Sequence, residues 1–320
     1  MKMNLTTVMA FVAAALAWAQ PQAAPADPLS GRFQWEAKAP WGVAHRESLI
    51  NLIKLTTMNP MQLDAIREEP FKIFDNLYYV GAKHVCAYLM TTSEGLVLMD
   101  SLFGDTTDLL IENIRKVGFK PEEIKYIFIS HSHPDHFGGA GKIKEMSGAR
   151  VIMSKEDWDE VERQQAAAQQ SGRNLGLPLK RDIVKGDGDT LKIGDQDFKF
   201  YFTPGHSPGA LSAEFRVSDR GKTYRALAPG GMGTQFPVEM TEQYIKGLER
   251  LRALSPFDVM LGNHPIYMVP EMADLKRAVA NLGGGPHPLV TGPEKINEWL
   301  EGGIKIAREK QAAESKPSRP

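Results

Sequence analysis

Four residues of metal-ligand type stand within six positions of this chain, in His131-Ser132-His133-Pro134-Asp135-His136, which continues into Phe137-Gly138-Gly139. Two more histidines sit in comparable surroundings: His206 in Thr203-Pro204-Gly205-His206-Ser207-Pro208-Gly209, and His264 in Asn263-His264-Pro265. Imidazole and carboxylate are the ligands zinc takes when thiolate is absent. The H-x-H-x-D-H spacing does not bring four side chains to one helical face. It suits a tight loop after a strand, with alternate residues pointing to two neighbouring sites. Gly and Pro residues around His206 and after His136 let backbone pass close to a metal. A lone loop histidine is ordinarily a solvated or internally bonded side chain, but six ligand-type residues at three strand ends fit that description poorly. His45, His84 and His287 lack such spacing and read as structural or surface residues.

The elements that must carry these residues follow from pattern and punctuation. Residues 71–80, 84–92 and 95–100 are β-rich and are split by Gly81 and by Ser93-Glu94-Gly95, which predicts an antiparallel meander. Thr106 to Val117 has helical spacing and stops at Gly118. Tyr126 to Ser130 is a short apolar strand, and the histidine cluster begins at its end. Gly138 to Met146 is expected to be helical, Arg150 to Ser154 a strand, and Glu156 to Gln170 a long polar helix. Strands follow near 183 and 190, then at 196–203, 211–217 and 223–228. A helix over Thr241 to Leu254 is expected to be capped by Thr241. A strand over Asp258 to Leu261 ends at His264, and helices near 270–282 and 292–309 finish the fold. This alternation predicts an α/β fold in one domain, a four-layer αββα sandwich of mixed sheets with helices on the outer faces.

Over roughly residues 71 to 285 the sequence resembles the metallo-β-lactamase superfamily, and within it the third subclass of β-lactamases, whose two sites contain no cysteine. The resemblance implies two zinc ions: His131, His133 and His206 would hold the first, and Asp135, His136 and His264 the second. Asp100, at the end of Gly95-Leu96-Val97-Leu98-Met99-Asp100, matches the superfamily's supporting aspartate and would orient the histidine loop. Many superfamily hydrolases carry a metal-bridging aspartate where this chain reads Ala228-Pro229-Gly230-Gly231. Its absence, with the absence of a cysteine ligand, fits the third subclass. In those relatives polar residues just downstream bind the substrate carboxylate; here Gly231-Met232-Gly233-Thr234-Gln235 offers Thr234 or Gln235. Tyr267 and Met268, after His264, are candidates to line the pocket.

Two zinc ions about 3.5–4 Å apart lower the pKa of a shared water to near 7, giving hydroxide at neutral pH. The expected reaction is attack on a carbonyl carbon, with Asp135 anchoring the second metal and taking a proton from the nucleophile. The first substrates to expect are cyclic amides, β-lactams among them; the alternative is another ester, lactone or amide. A non-catalytic zinc protein is a third reading. Structural zinc is usually closed by four ligands, whereas three per site leave a position open for water.

Composition supports a small-molecule substrate. The formal net charge of −1 and the absence of a long Lys/Arg run give no footprint for nucleic acid or a membrane surface. Lys2, the apolar Val8 to Leu16 and Ala17-Trp18-Ala19 read as a signal peptide over residues 1–19, hence export to the periplasm or medium. A leader over 20–70 is expected to precede a core that begins at Phe71, and a polar tail, 311–320, to be disordered. Glu47 to Thr56 has the pattern of a short amphipathic helix. The single cysteine, Cys86, lies in an apolar run and reads as a small buried hydrophobe.

Overall fold

The computed structural model describes residues 33–56 and 63–315; the expected signal peptide lies outside the described residues. Among them, seven strands form one sheet in sequence order: β1 (Phe71–Phe74), β2 (Leu77–Tyr79), β3 (Tyr88–Thr92), β4 (Gly95–Met99), β5 (Ile124–Phe128), β6 (Arg150–Met153) and β7 (Ile183–Val184). The first four pair antiparallel, and β4 through β7 pair in parallel across helical crossovers that include Thr107–Lys116, Ala140–Ser147 and Lys155–Ser171. A second sheet holds β8 (Thr190–Ile193), β9 (Gln196–Phe202), β10 (Leu211–Asp219), β11 (Lys222–Ala228) and β12 (Val259–Met260) in the order β12-β11-β10-β9-β8.

Three buried layers make the sandwich. Along β4 the side chains alternate. Leu96 and Leu98 pack outward against Leu109, Leu110, Ile143, Trp158 and Val161 of the crossover helices. Val97 and Met99 face inward, where Phe128 and Ile152 meet Phe198, Phe200, Phe215 and Ala226 of the second sheet. The far face of that sheet, with Tyr201 and Leu227, is covered by the helices Thr241–Ala253 and Gly292–Glu314. Helix, sheet, sheet, helix is the predicted order.

Several boundaries differ from the sequence reading, and each difference has a tertiary cause. The core does not begin at Phe71: Trp35, Trp41, Leu49 and Ile53 are buried in the third layer, and Trp41 has no exposed surface. The tail does not start at 311, because the last helix runs to Glu314, whose carboxylate accepts from Trp35 Nε1 at 2.8 Å. Its partner comes from the far end of the chain, which local polarity does not reveal. Residues 71–80 split into two strands around the turn at Asp75-Asn76, and residues 84–87 precede rather than join β3. Thr241 is the first helical residue and not the cap; Met240 holds the cap position, and Thr241 Oγ1 finds no partner among the described residues.

Candidate metal centre

The site lies at the C-terminal ends of strands from both sheets. After β5, Ile129 and Ser130 continue into the histidine loop; His206 follows β9, and His264 follows β12. Pro134 opens a single helical turn, Pro134–Phe137, which carries Asp135 and His136. The structure brings the six expected residues into two adjoining triads, His131–His133–His206 and Asp135–His136–His264, the grouping that the resemblance implies. Ring centroids within the first triad are 4.6–4.7 Å apart. His131 and His136, one from each, lie 4.0 Å apart.

Separations between the potential ligand atoms test the fit to zinc. His131 Nε2 and His133 Nδ1 are 3.0 Å apart, and His136 Nε2 and His264 Nε2 are 3.3 Å apart. Asp135 Oδ2 lies 3.3 Å from His136 Nε2 and 3.7 Å from His264 Nε2. Ligands about 2.05 Å from a tetrahedral ion lie roughly 3.3 Å from one another. The donor set and its spacing therefore fit that ion.

The outward ring nitrogens are tethered, so the inward ones are left for a cation. His131 Nδ1 meets Ser130 Oγ at 3.0 Å, His206 Nδ1 meets the Gly233 carbonyl at 2.8 Å, and His264 Nδ1 meets the His84 carbonyl at 2.6 Å. His136 Nδ1 meets Asp100 Oδ2 at 2.8 Å. The same carboxylate accepts from Ser130 N–H and Ser130 Oγ, each at 2.8 Å. Asp100 achieves this reach with a left-handed backbone, φ 58°, at the end of β4. Gly231 is a close-approach position, since a Cβ there would sit 2.4 Å from His206 Cδ2.

Electrostatics favour metal-ready side chains. Burial, then neighbouring imidazoles, holds His131 and His206 well below the usual histidine range. Burial pushes His133 down to about 4. Burial opposes ionisation of Asp135, but His136, His264 and His133 outweigh it and hold this carboxyl far below the ordinary range. Burial likewise opposes a proton on His136, whereas Asp135 and Asp100 favour one and push its pKa up to about 10. A cation entering the second triad must displace that proton.

The expected substrate contacts fare differently. Thr234 is 1% exposed, and both its N–H and its hydroxyl point to the carboxylate of Glu36. Tyr267 is 2% exposed, and its hydroxyl lies 3.4 Å from the same carboxylate. Neither is open to a substrate, which corrects that expectation; the cause is a buried acid from the leader. Gln235 is half-buried. Met268 is core, and its sulfur receives Tyr88 Oη and Gly262 N–H. His45 and His287 bond the Ile266 and Ile73 carbonyls, and His84 is buried beside Phe103. Cys86 is buried, its thiol pushed by burial up to about 12.

Two supporting residues escaped the sequence reading. Asp157 accepts from Ser132 N–H and Oγ, Ser207 Oγ and Gly209 N–H at 2.8–3.0 Å, joining the two loops of the first triad. In Ser154-Lys155-Glu156-Asp157 it passes for an ordinary acid in a helix's first turn, as Ser154 does cap that helix. Glu36 carries no sequence signal, since two of its three partners, Thr234 and Tyr267, lie 198 and 231 residues away.

Comparison with known proteins agrees with this geometry. Residues 80–219 match the model of the metallo-beta-lactamase superfamily. Among solved structures, BJP-1, a subclass B3 metallo-beta-lactamase of Bradyrhizobium japonicum, superposes with a TM-score of 0.66 at 28% identity, over 78% of this chain and 95% of that one. An N-acyl homoserine lactonase of Bacillus cereus is 28% identical over 152 residues, 40% of this chain. A hydroxyacylglutathione hydrolase of Erythrobacter litoralis is 29% identical over 182 residues, 55% of this chain and 64% of the relative. The match spans only 56% of the lactonase's length. Taken with the paired triads and the four-layer sandwich, these likenesses show a metallo-β-lactamase superfamily domain over residues 80–219.

Proposed function

We propose that the chain is a zinc-dependent hydrolase that takes two ions and opens a cyclic amide, a β-lactam in the first instance. The observation that carries this reading is the meeting of two three-ligand groups with ligand-atom separations of 3.0–3.7 Å. When bound, the zinc ions supply Lewis acidity, lowering the pKa of a water toward about 7 and polarising the substrate carbonyl. The protein's part is to orient and to exclude. Ser130, Gly233, Asp100 and the His84 carbonyl fix four imidazoles in place, so little reorganisation is needed as charge develops. Asp135 stays ionised throughout the working pH range. Its depressed pKa makes it a better anchor than proton acceptor. The reading also places the protein outside the cytoplasm, on the evidence of Lys2, the apolar Val8 to Leu16 and Ala17-Trp18-Ala19.

A second substrate class, lactones and other esters, is favoured by one observation. Thr234, the donor nearest in sequence to where lactamase relatives bind a carboxylate, is committed to Glu36. The test is hydrolysis of a chromogenic cephalosporin, an acyl lactone and an aryl ester, each with and without chelator. Chelator-sensitive cleavage of the cephalosporin supports the first reading; cleavage of lactone or ester alone selects the second. Inactivity of metal-loaded protein on all three contradicts the hydrolase proposal.

A further inference from the structure

Glu36 has no exposed surface, yet among the described residues it meets only neutral donors. Trp41 Nε1 donates to Oε2 at 2.7 Å and Tyr267 Oη to the same oxygen at 3.4 Å. Thr234 N–H and Thr234 Oγ1 donate to Oε1. Trp41 Nε1–H and the Thr234 N–H are donors only, one to each oxygen, and an ionised carboxylate accepts from all four groups, two at each oxygen. Burial raises the pKa of this group, and its hydrogen bonds pull it back. A buried carboxylate without a cation is costly unless positive charge lies close by.

The Thr234 N–H belongs to the same amide as the Gly233 carbonyl, and that carbonyl accepts from His206 Nδ1 at 2.8 Å. One peptide group thus has the Glu36 carboxylate at its N–H end and the His206 imidazole at its C=O end. Gly233 permits the approach, since a Cβ there would lie 2.7 Å from Tyr267 Oη and 3.1 Å from His206 Cε1. His206 Nε2, the other ring nitrogen, has no partner among the described residues and faces the rest of its triad.

We propose that Glu36 is a positioning residue for the first metal, acting through the Gly233–Thr234 amide to orient His206 and raise its basicity. The negative charge polarises the amide, the carbonyl becomes a stronger acceptor, and the imidazole is held with its proton on Nδ1 and its lone pair on Nε2. The dication in turn supplies the positive charge that Glu36 lacks. The inference rests on reading His131, His133 and His206 as a metal site, and it ties the leader to that site.

The test is zinc affinity, measured by chelator competition and resolved into the two sites. Glu36→Gln keeps the shape, loses the charge and sets an amide N–H against one of the two fixed donors. It should weaken the first site by about tenfold, the low end for outer partners of metal ligands, and leave the second unchanged. In cobalt-substituted protein, the shifted ring N–H resonance of His206 should move while those of His136 and His264 stay. Trp41→Phe, which removes a donor from the other oxygen, should destabilise the metal-free protein without separating the two affinities. Equal loss at both sites in Glu36→Gln, or no loss, overturns the relay. Should that variant fail to fold, the wild-type Thr234 amide proton decides: the relay requires it to move downfield as the first site fills, and indifference to metal refutes it. A wild type that binds no cation at this triad overturns the metal reading and the relay together; a wild type and variant that bind alike overturn the relay alone.

Discussion

Asp157 and Ser207 share a hydrogen bond of 2.8 Å, made from the first turn of the helix Lys155–Ser171 to the residue that follows His206. Because the same carboxylate also holds Ser132, between His131 and His133, one side chain sets the spacing of the whole first triad. Asp157→Asn places an amide donor against Ser132 N–H or Gly209 N–H and should loosen both loops. The expected outcome is a 10- to 100-fold weaker first site, roughly the range for residues that orient metal ligands. Chelator competition checks this, and an unchanged first-site affinity contradicts it.

Asp100 is the counterpart for the second triad. Asp100→Ala leaves three buried donors unmet, the Ser130 N–H and Oγ and His136 Nδ1. Each such loss costs about 1–3 kcal/mol. Stability should fall by several times the effect of an ordinary surface change, and the second site should lose metal before the first. Urea unfolding and stepwise metal release on dilution read the two effects separately.

His84 predicts an acid-limb effect. Both its ring nitrogens lack partners among the described residues, and burial pushes its pKa from 6.5 down to about 4. Between those values the unfolded chain binds a proton that the folded chain refuses, so this residue's contribution is lost as pH falls. Metal-free wild type should lose about 2–3 kcal/mol more than His84→Leu between pH 7 and pH 4.5. Equal acid losses in urea titrations of the two proteins would contradict it.

Trp41 tests whether the segment before Phe71 is part of the fold. It is fully buried, edge-on to Tyr267 at 5.2 Å and tilted against Trp299 at 6.1 Å. Trp41→Ala should cost about 3–5 kcal/mol of unfolding free energy, as large core truncations do. A loss below 1 kcal/mol would mean that the segment is a detachable cover.

The parts legible in the sequence were those whose cause is local. H-x-H-x-D-H after an apolar strand, alternation along β4 and the glycines around His206 each carry their meaning within a few residues. What stayed hidden depends on partners far along the chain. Glu36 and Thr234 are 198 residues apart, Trp35 and Glu314 are 279 apart, and Asp157 reaches 50 residues to Ser207. Thr234 suited a substrate contact by type and position, and only the fold shows its donors already in use.

The central claim is that two triads each hold an ion, and metal content tests it most directly. Protein loaded with zinc, dialysed free of excess and analysed by elemental emission should contain two zinc per chain. His206→Ala should remove one ion from the first triad, and Asp135→Ala one from the second. Fewer than two ions in the wild type, or the loss of both from either single change, would contradict the account.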